Sequence, residues 1–269
     1  MSNKETYYVV KKGFQTGIYK TWDECKKAVT GFSSPIYRKF TVFQDAYDFY
    51  HSKDSNKMVL LNEVDEQLKK VKEIVKNIRS NIFDDNYNYS VENWNCINDE
   101  IYIFTDGSSR RSNEYLNSGI GIYLGYQCTN IKEQYPDKTN NQCELTAIDY
   151  AFKLIIKYFN ELSRMNKIIK IVSDSEYSIK ACSTWLSQWK NNHWKTKNGD
   201  DVKNKDIIES IDSSMQRIKL LNSKCDAQHK IKVSFLHMNS HQKPDITDKF
   251  KYSLWFGNYV ADALSQNII

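Results

Sequence analysis

Four acidic residues in this chain sit where a metal ligand would be expected. Asp106 ends the apolar run Ile101-Tyr-Ile-Phe-Thr and opens onto Gly107-Ser108. Asp174 ends a second such run, in Ile-Val-Ser-Asp-Ser, and Glu144 falls within Thr139-Asn-Asn-Gln-Cys-Glu-Leu-Thr-Ala. Asp262 lies near the C-terminus in Gly257-Asn-Tyr-Val-Ala-Asp-Ala-Leu. One carboxylate from each of several elements suits a hard cation such as Mg²⁺, which takes oxygen ligands while keeping waters and a substrate phosphate. Phosphodiester cleavage is the chemistry such a centre performs. Any one of these acids alone would read as turn or cap chemistry, because Asp is common there. Two strand-end aspartates, each after a run of strand-forming residues, decide for the joint metal site.

The elements that must position them follow from the same residues. Strands end at Asp106 and at Asp174, and a helix begins just before Glu144. Further on, Trp185-Leu-Ser-Gln-Trp189-Lys190 continues to Trp194-Lys195-Thr-Lys197, interleaving aromatic and basic residues at helical spacing. Trp185 and Trp189 share a helix face, so they serve either a nucleic-acid surface or a buried stripe with the lysines on its wet side. At the N-terminus, two short strands flank Gly13 and Gly17. A helix capped by Thr21 or Trp22-Asp23 follows, then a strand Ile36–Phe40 and a helix Thr41–Tyr50. Between the modules, Leu68, Val71, Ile74, Val75 and Ile78 are spaced for an amphipathic helix.

The ordered set Asp-Gly-Ser, Asn-Gln-x-Glu, Ser-Asp-Ser and Gly-Asn-x-x-Ala-Asp resembles the ribonuclease HI catalytic domain, which cleaves the RNA strand of RNA–DNA hybrids. The resemblance spans about 170 residues, with soft element boundaries. It implies an α/β fold, a five-stranded mixed sheet with flanking helices, and two Mg²⁺ ions, replaceable by Mn²⁺, held by Asp106, Glu144, Asp174 and Asp262. The implied activity is endonucleolytic, leaving 5′-phosphate and 3′-hydroxyl ends. His241 falls where the family has an auxiliary histidine for proton transfer or product release, with His237 the structural one of the pair. This chain departs there: Ser240 replaces the usual Gly, and Gln242 to Gly257 is read as a longer loop.

By the same resemblance, Trp185, Trp189, Lys190 and Lys195 form a basic protrusion against DNA. Thr139 and Asn204 meet phosphate, and Ser109, Asn140 and Asn141 read the RNA 2′-hydroxyl. Asp137 stands where the family's phosphate pocket often has Arg, which implies either a weaker pocket here or substitution by Lys138.

The N-terminal Tyr-Tyr-Val-Val-Lys-Lys-Gly, Thr-Gly-Ile-Tyr, Thr-Trp and Tyr-Arg-Lys-Phe resemble the hybrid-binding domain of eukaryotic-type ribonucleases HI. Tyr8, Trp22, Tyr37, Arg38 and Lys39 would then face the DNA strand. Tyr8 and Trp22 have a second use as a small aromatic core. The expected organisation is a small α/β hybrid-binding domain over 5–50, a partly helical linker over 51–95 and a catalytic domain over 96–269.

Global features agree. A chain of 269 residues accommodates one large and one small domain, and a net charge of +5 mildly favours a polyanionic partner. Six scattered cysteines without a C-x-x-C pair argue for a reducing compartment and against structural zinc. The absence of a long apolar run or an evident leader points to nucleus or cytoplasm, a monomer without membrane contact, and RNA–DNA hybrid as partner, with duplex RNA bound more weakly. Two other readings stay open: a hybrid-binding protein whose nuclease site is impaired by the long loop, and the ribonuclease H of a retroelement or virus.

Overall fold

The computed structural model describes residues 6–51, 55–112, 115–239 and 242–267 and divides into two compact units, residues 1–65 and 66–269. In the first unit, β1 (Tyr7–Lys12), β2 (Gly17–Tyr19) and β3 (Ile36–Phe40) form an antiparallel sheet in the order β2-β1-β3. Helices α1 (Trp22–Val29) and α2 (Phe43–His51) complete it. Thr21 and Glu24 close a reciprocal capping box at the start of α1, which satisfies two backbone donors that a helix N-terminus leaves orphaned. Strand alternation does the rest. Val9 packs with Ala46 and Phe49 of α2, while Val10 packs with Cys25, Ala28 and Val29 of α1. One helix therefore covers each face of the sheet.

The second unit is built on a mixed sheet. Helix α3 (Ser55–Val75), which belongs to this unit from Glu66 onward, leads to β4 (Ser80–Asn81), β5 (Cys96–Ile97), β6 (Glu100–Ser112), β7 (Tyr115–Tyr123) and β8 (Asn130–Gln134). Then come α4 (Asn140–Lys157), α5 (Phe159–Met165), β9 (Ile168–Ser173), α6 (Glu176–Cys182), α7 (Thr184–Asn191), α8 (Lys205–Asn222), β10 (Lys232–His237) and α9 (Lys249–Ser265). The order is β10-β9-β6-β7-β8-β4, with β5 paired to β6. Strands β10, β9 and β6 run parallel, and β7 runs antiparallel to β6 and β8. The expected five-stranded mixed sheet is thus β6 to β10, with two dipeptide strands added.

Both faces of this sheet are buried, which is why β6 and β9 are almost continuously apolar. Ile101 and Ile103 of β6 join Ile169 and Ile171 of β9 on the face covered by α4 and α8. Tyr102, Phe104 and Val172 point the other way, against Val71 and Val75 of α3 and against Val260, Ala261 and Leu264 of α9. Each such aliphatic side chain, fully buried, contributes about 1.5–3 kcal/mol.

Two expectations are corrected. Residues 66 to 95, read as linker, belong to the second unit. Val71, Val75 and Ile78 are buried on the α9 face, β4 pairs with β8, and Tyr89 and Trp94 sit in the main core. Their apolar side chains had a whole sheet face left to cover. The presumed loop from Gln242 to Gly257 is helical from Lys249 onward. Asp248 caps α9, its carboxylate accepting from the amides of Phe250 and Lys251 at 3.0 Å each. The extra aromatic residues bury in the same face: Trp255 is in the cluster, Phe256 packs against Tyr123, and Phe250 meets Tyr102 edge-on. No helix among the described residues is long and apolar enough to cross a membrane.

Candidate metal centre and nucleic-acid surfaces

Strands β6 and β9 stay in parallel register as far as Phe104 and Val172, and the Thr105 hydroxyl donates to the Val172 carbonyl at 3.0 Å. The expected strand end at Asp106 is corrected: β6 continues to Ser112 along β7, and Asp106 stands where the pairing with β9 has stopped, level with Asp174 just past the end of β9. Two glycines bring in the helices. A Cβ on Gly107 would stand 2.1 Å from the Glu144 amide nitrogen, so only glycine there lets α4 approach. Gly121 pairs with Asp106 across the ladder, and a Cβ on it would stand 2.1 Å from the Ala261 carbonyl oxygen of α9. Glu144 and Asp262 thus reach the same stretch of β6 from helices on opposite faces.

One carboxylate oxygen from each of Asp106, Glu144 and Asp174 lies within 4.8 Å of the other two. Asp262 joins them in a cleft of about 320 Å³, whose rim includes Ser108, Ser109, Arg110, Asn140, Ser175 and Gln266. Burial, then the charges of Asp174 and Asp262, hold the Asp106 carboxyl well above its ordinary 3.8, against the pull of a Ser265 hydrogen bond and the Gly107 amide. Glu144 is likewise held well above 4.5 by burial and by the charges of Asp106 and Asp174. Its Oε2 is buried and finds no hydrogen-bond partner among the described residues. Hard oxygen donors, crowded negative charge and an orphaned carboxylate oxygen together fit a divalent cation.

A prediction follows from the sign of these shifts. Folded Asp106 and Glu144 keep protons that the unfolded chain has already lost. The metal-free fold therefore loses stability as pH rises from about 4 through the elevated folded values, and the whole penalty stands above them. A bound cation replaces those protons. Millimolar Mg²⁺ should raise the melting temperature more at about pH 8 than at about pH 5. Equal shifts at both values, read by calorimetry, would show that these acids do not carry the binding.

The structure also shows residues that the sequence reading missed. Ser265 donates to the Asp106 carboxylate, Gln266 donates through Nε2 to Asp262, and Arg110 donates to the Gln266 carbonyl oxygen. Ser265 and Gln266 lie three and four residues past Asp262, so helical spacing would have found them had α9 been recognised.

Of the predicted rim residues, Ser109 and Asn140 meet: the Ser109 amide donates to Asn140 Oδ1 at 3.1 Å, and the Ser109 hydroxyl donates to the Lys138 carbonyl at 2.9 Å. Asn141 lies exposed on the first turn of α4, and Thr139 caps that helix. Lys138 lies over the Tyr135 ring at 4.5 Å, while Asp137 is left-handed, its carboxylate accepting from the Leu116 amide. His241 lies outside the described residues. His237 ends β10, its Nε2 3.1 Å from the Asp174 carbonyl oxygen.

Trp185 and Trp189 are half-buried on α7 against the main core, 5.5 Å apart. Lys190 pairs with Asp212 at 2.5 Å and Lys195 with Asp201 at 2.7 Å. Asn204 takes a left-handed conformation before α8, and its amide donates to the Tyr177 hydroxyl at 3.3 Å.

In the N-terminal unit, the rings of Tyr8, Trp22 and Tyr37 form a row with centroids 5.7 and 5.8 Å apart, and Lys39 lies over Tyr8 at 5.8 Å. Trp22 and Tyr37 stay 42% and 44% exposed, too wet for a core. Arg38 does not join them. It pairs across the ladder with Val9 and lies over the Phe40 ring, on the α2 side. Reading Tyr37, Arg38 and Lys39 as one surface overlooked that neighbouring residues of a strand point to opposite faces.

Four carboxylates around one cleft beside a mixed sheet, three of them close enough to share an ion, form a candidate metal centre. Residues 98–266 match the family model for RNase H, and residues 6–50 match that for the ribonuclease H1 N-terminal domain. The chain belongs to the ribonuclease H family. It is 30% identical to ribonuclease H of Schizosaccharomyces pombe over 245 residues, covering 79% of this chain and 87% of that protein. It is 24% identical to human ribonuclease H1 over 231 residues, covering 78% and 79% respectively. Among solved structures, the PFV RNase H domain is 19% identical at a TM-score of 0.39, over 62% of this chain and 92% of that one.

Proposed function

We propose that this chain is an endonuclease that hydrolyses the RNA strand of RNA–DNA hybrids, with Asp106, Glu144, Asp174 and Asp262 holding Mg²⁺ at the cleft. The convergence of these four acids from four separate elements carries the reading. When bound, a pair of Mg²⁺ ions, or Mn²⁺ in their place, supplies a water of lowered pKa and neutralises charge growing on the leaving 3′-oxygen. The protein's own part is to hold the reacting phosphate in one geometry. Glu144 offers its orphaned oxygen and Asp106 is fixed by Ser265. Asn140 spends its carbonyl on the Ser109 amide, so its NH₂ is the group it presents to an RNA 2′-hydroxyl. His241 serves as the auxiliary group that takes or returns a proton near neutrality. The products carry 5′-phosphate and 3′-hydroxyl ends.

The N-terminal unit holds the DNA strand with Tyr8, Trp22, Tyr37 and Lys39, rings against sugars and the ammonium against phosphate. On the α7 side, Lys195 exchanges its exposed pair with Asp201, weak in water, and Lys190 its half-buried pair with Asp212, for phosphates, and Trp185, Trp189, Thr139 and Asn204 add further contacts to the nucleic acid. Trp22→Ala combined with Lys39→Ala should weaken hybrid binding about tenfold and lower the slope of log affinity against log salt by about one. Single-turnover cleavage at saturation should stay near wild type. An unchanged salt titration would return both residues to a structural role.

The proposal is tested by offering one RNA sequence as single strand, RNA duplex and RNA–DNA hybrid, each with Mg²⁺ or with EDTA. Cleavage of the hybrid alone, and only with Mg²⁺, is expected. Binding of the hybrid without cleavage would overturn the assignment of a working nuclease.

A further inference from the structure

We propose that Arg110 and Gln266 act as one positioning bridge that holds the Asp262 carboxylate ready for a divalent cation. The inference rests on the reading of the acid cleft as a cation site. Arg110 lies four residues after Asp106 on β6, so alternation gives it the same side of the strand. Gln266 lies one helical turn after Asp262 at the end of α9. Arg110 donates to the carbonyl oxygen of Gln266, and the amide nitrogen of Gln266 donates to Oδ1 of Asp262. The strand that carries the first acid thus orients the last one through the helix that bears it. All three residues line the cleft.

The amide in the middle has a chemical reason. A direct Arg–Asp pair would neutralise Asp262 and compete with a cation for it. Glutamine accepts from the guanidinium with one atom and donates with another, fixing the direction of Oδ1 through a neutral group rather than through a direct pair with that cation. Ser265 works in parallel on Asp106, and its own carbonyl accepts from the Ser108 hydroxyl at 2.8 Å, so the end of α9 is tied to β6 at adjacent positions. Partners that orient a metal-binding carboxylate are typically worth 10- to 100-fold in metal affinity.

The test is Mn²⁺ binding to the full chain without substrate, measured by loss of the free Mn²⁺ EPR signal. Arg110→Met and Gln266→Leu should each weaken binding about tenfold. The double variant should be no worse than either, because two links of one chain of hydrogen bonds are not additive. Arg110→Lys, which still donates to Gln266, should recover most of the affinity. Arg110 is exposed and Gln266 lies beyond the last turn of α9, so neither change empties the core. Unchanged Mn²⁺ affinity in the single variants, or losses that add in the double, would overturn the bridge. Arg110→Met that weakens only hybrid binding would overturn it too, making Arg110 a phosphate contact. Failure of the wild-type chain to bind Mn²⁺ would instead sink the underlying reading of the acid cleft.

Discussion

Asp106→Asn should abolish hybrid cleavage while leaving hybrid binding intact, and should make the metal-free protein more stable. The substitution keeps shape and removes charge. Asn Oδ1 can still accept the Ser265 hydroxyl that Asp106 now holds, so the end of α9 stays in place. What is lost is a carboxylate at the centre of the cluster, within 4.8 Å of both Glu144 and Asp174. Charge stabilisation at such a centre is worth several kcal/mol, and a loss of about 4 kcal/mol lowers the rate about 10³-fold. On the proposed reading, binding draws on other groups, chiefly the N-terminal aromatic row together with Lys190 and Lys195.

The stability arm of this prediction has the opposite sign. Asp106 is buried and held protonated to well above its ordinary range by burial and by neighbouring acids. Ionised at about pH 8 without metal, it opposes the fold. Its neutral replacement should then raise the melting temperature in EDTA, by about 2–4 °C for each 1 kcal/mol relieved. Single-turnover cleavage, a binding titration and a thermal melt on the same preparation check all three parts. Turnover near wild type would remove Asp106 from the mechanism, and a lowered melting temperature in EDTA would contradict the electrostatic account.

Gly107→Ala should be nearly as damaging, by a route that involves no functional group. The added methyl would meet the Glu144 amide nitrogen at 2.1 Å, and Gly107 sits in the middle of a strand paired to β7. Neither backbone can yield without cost. Overpacking of this kind typically costs about 1–3 kcal/mol. The relief available is for α4 to back away from β6, taking Glu144 with it, and a shift of about 1 Å in a reacting group can cost about 10²-fold in rate. The expected outcome is a folded, less stable protein with cleavage reduced about 100-fold and weakened Mn²⁺ binding. Wild-type cleavage together with a wild-type melt would show that α4 is not held against β6 as described.

Several features of this protein were legible in its residues alone. The apolar runs before Asp106 and Asp174, the helix opening before Glu144 and the cap at Thr21 are local properties, set by side-chain shape and backbone hydrogen bonding within a few residues, whereas the continuation of β6 to Ser112 depends on its pairing with β7. The acid quartet could be gathered from them because order and spacing sufficed to suggest a resemblance. The errors came where a residue's surroundings are distant in sequence. The longer loop expected from Gln242 to Gly257 is helical over 249–257 because the sheet face of Tyr102, Phe104 and Tyr123, distant in sequence, takes up its aromatic residues. The apolar side of α3 beyond Glu66 finds the same face. Arg38 was grouped with its chain neighbours, whereas register with Val9 turns it to the other side of the sheet.

The same division holds for the site. Which acids gather at the cleft was legible in the sequence. How α4 and α9 come near enough to deliver them was decided by Gly107 and Gly121, whose missing side chains matter only because two helices press on β6 from opposite faces. The bridge from Arg110 through Gln266 to Asp262 was likewise invisible, since it joins residues 156 apart. Local chemistry is written residue by residue, but burial of two sheet faces is a property of the whole chain, and it is that burial which sets register, helix length and the placing of every charge around the cleft.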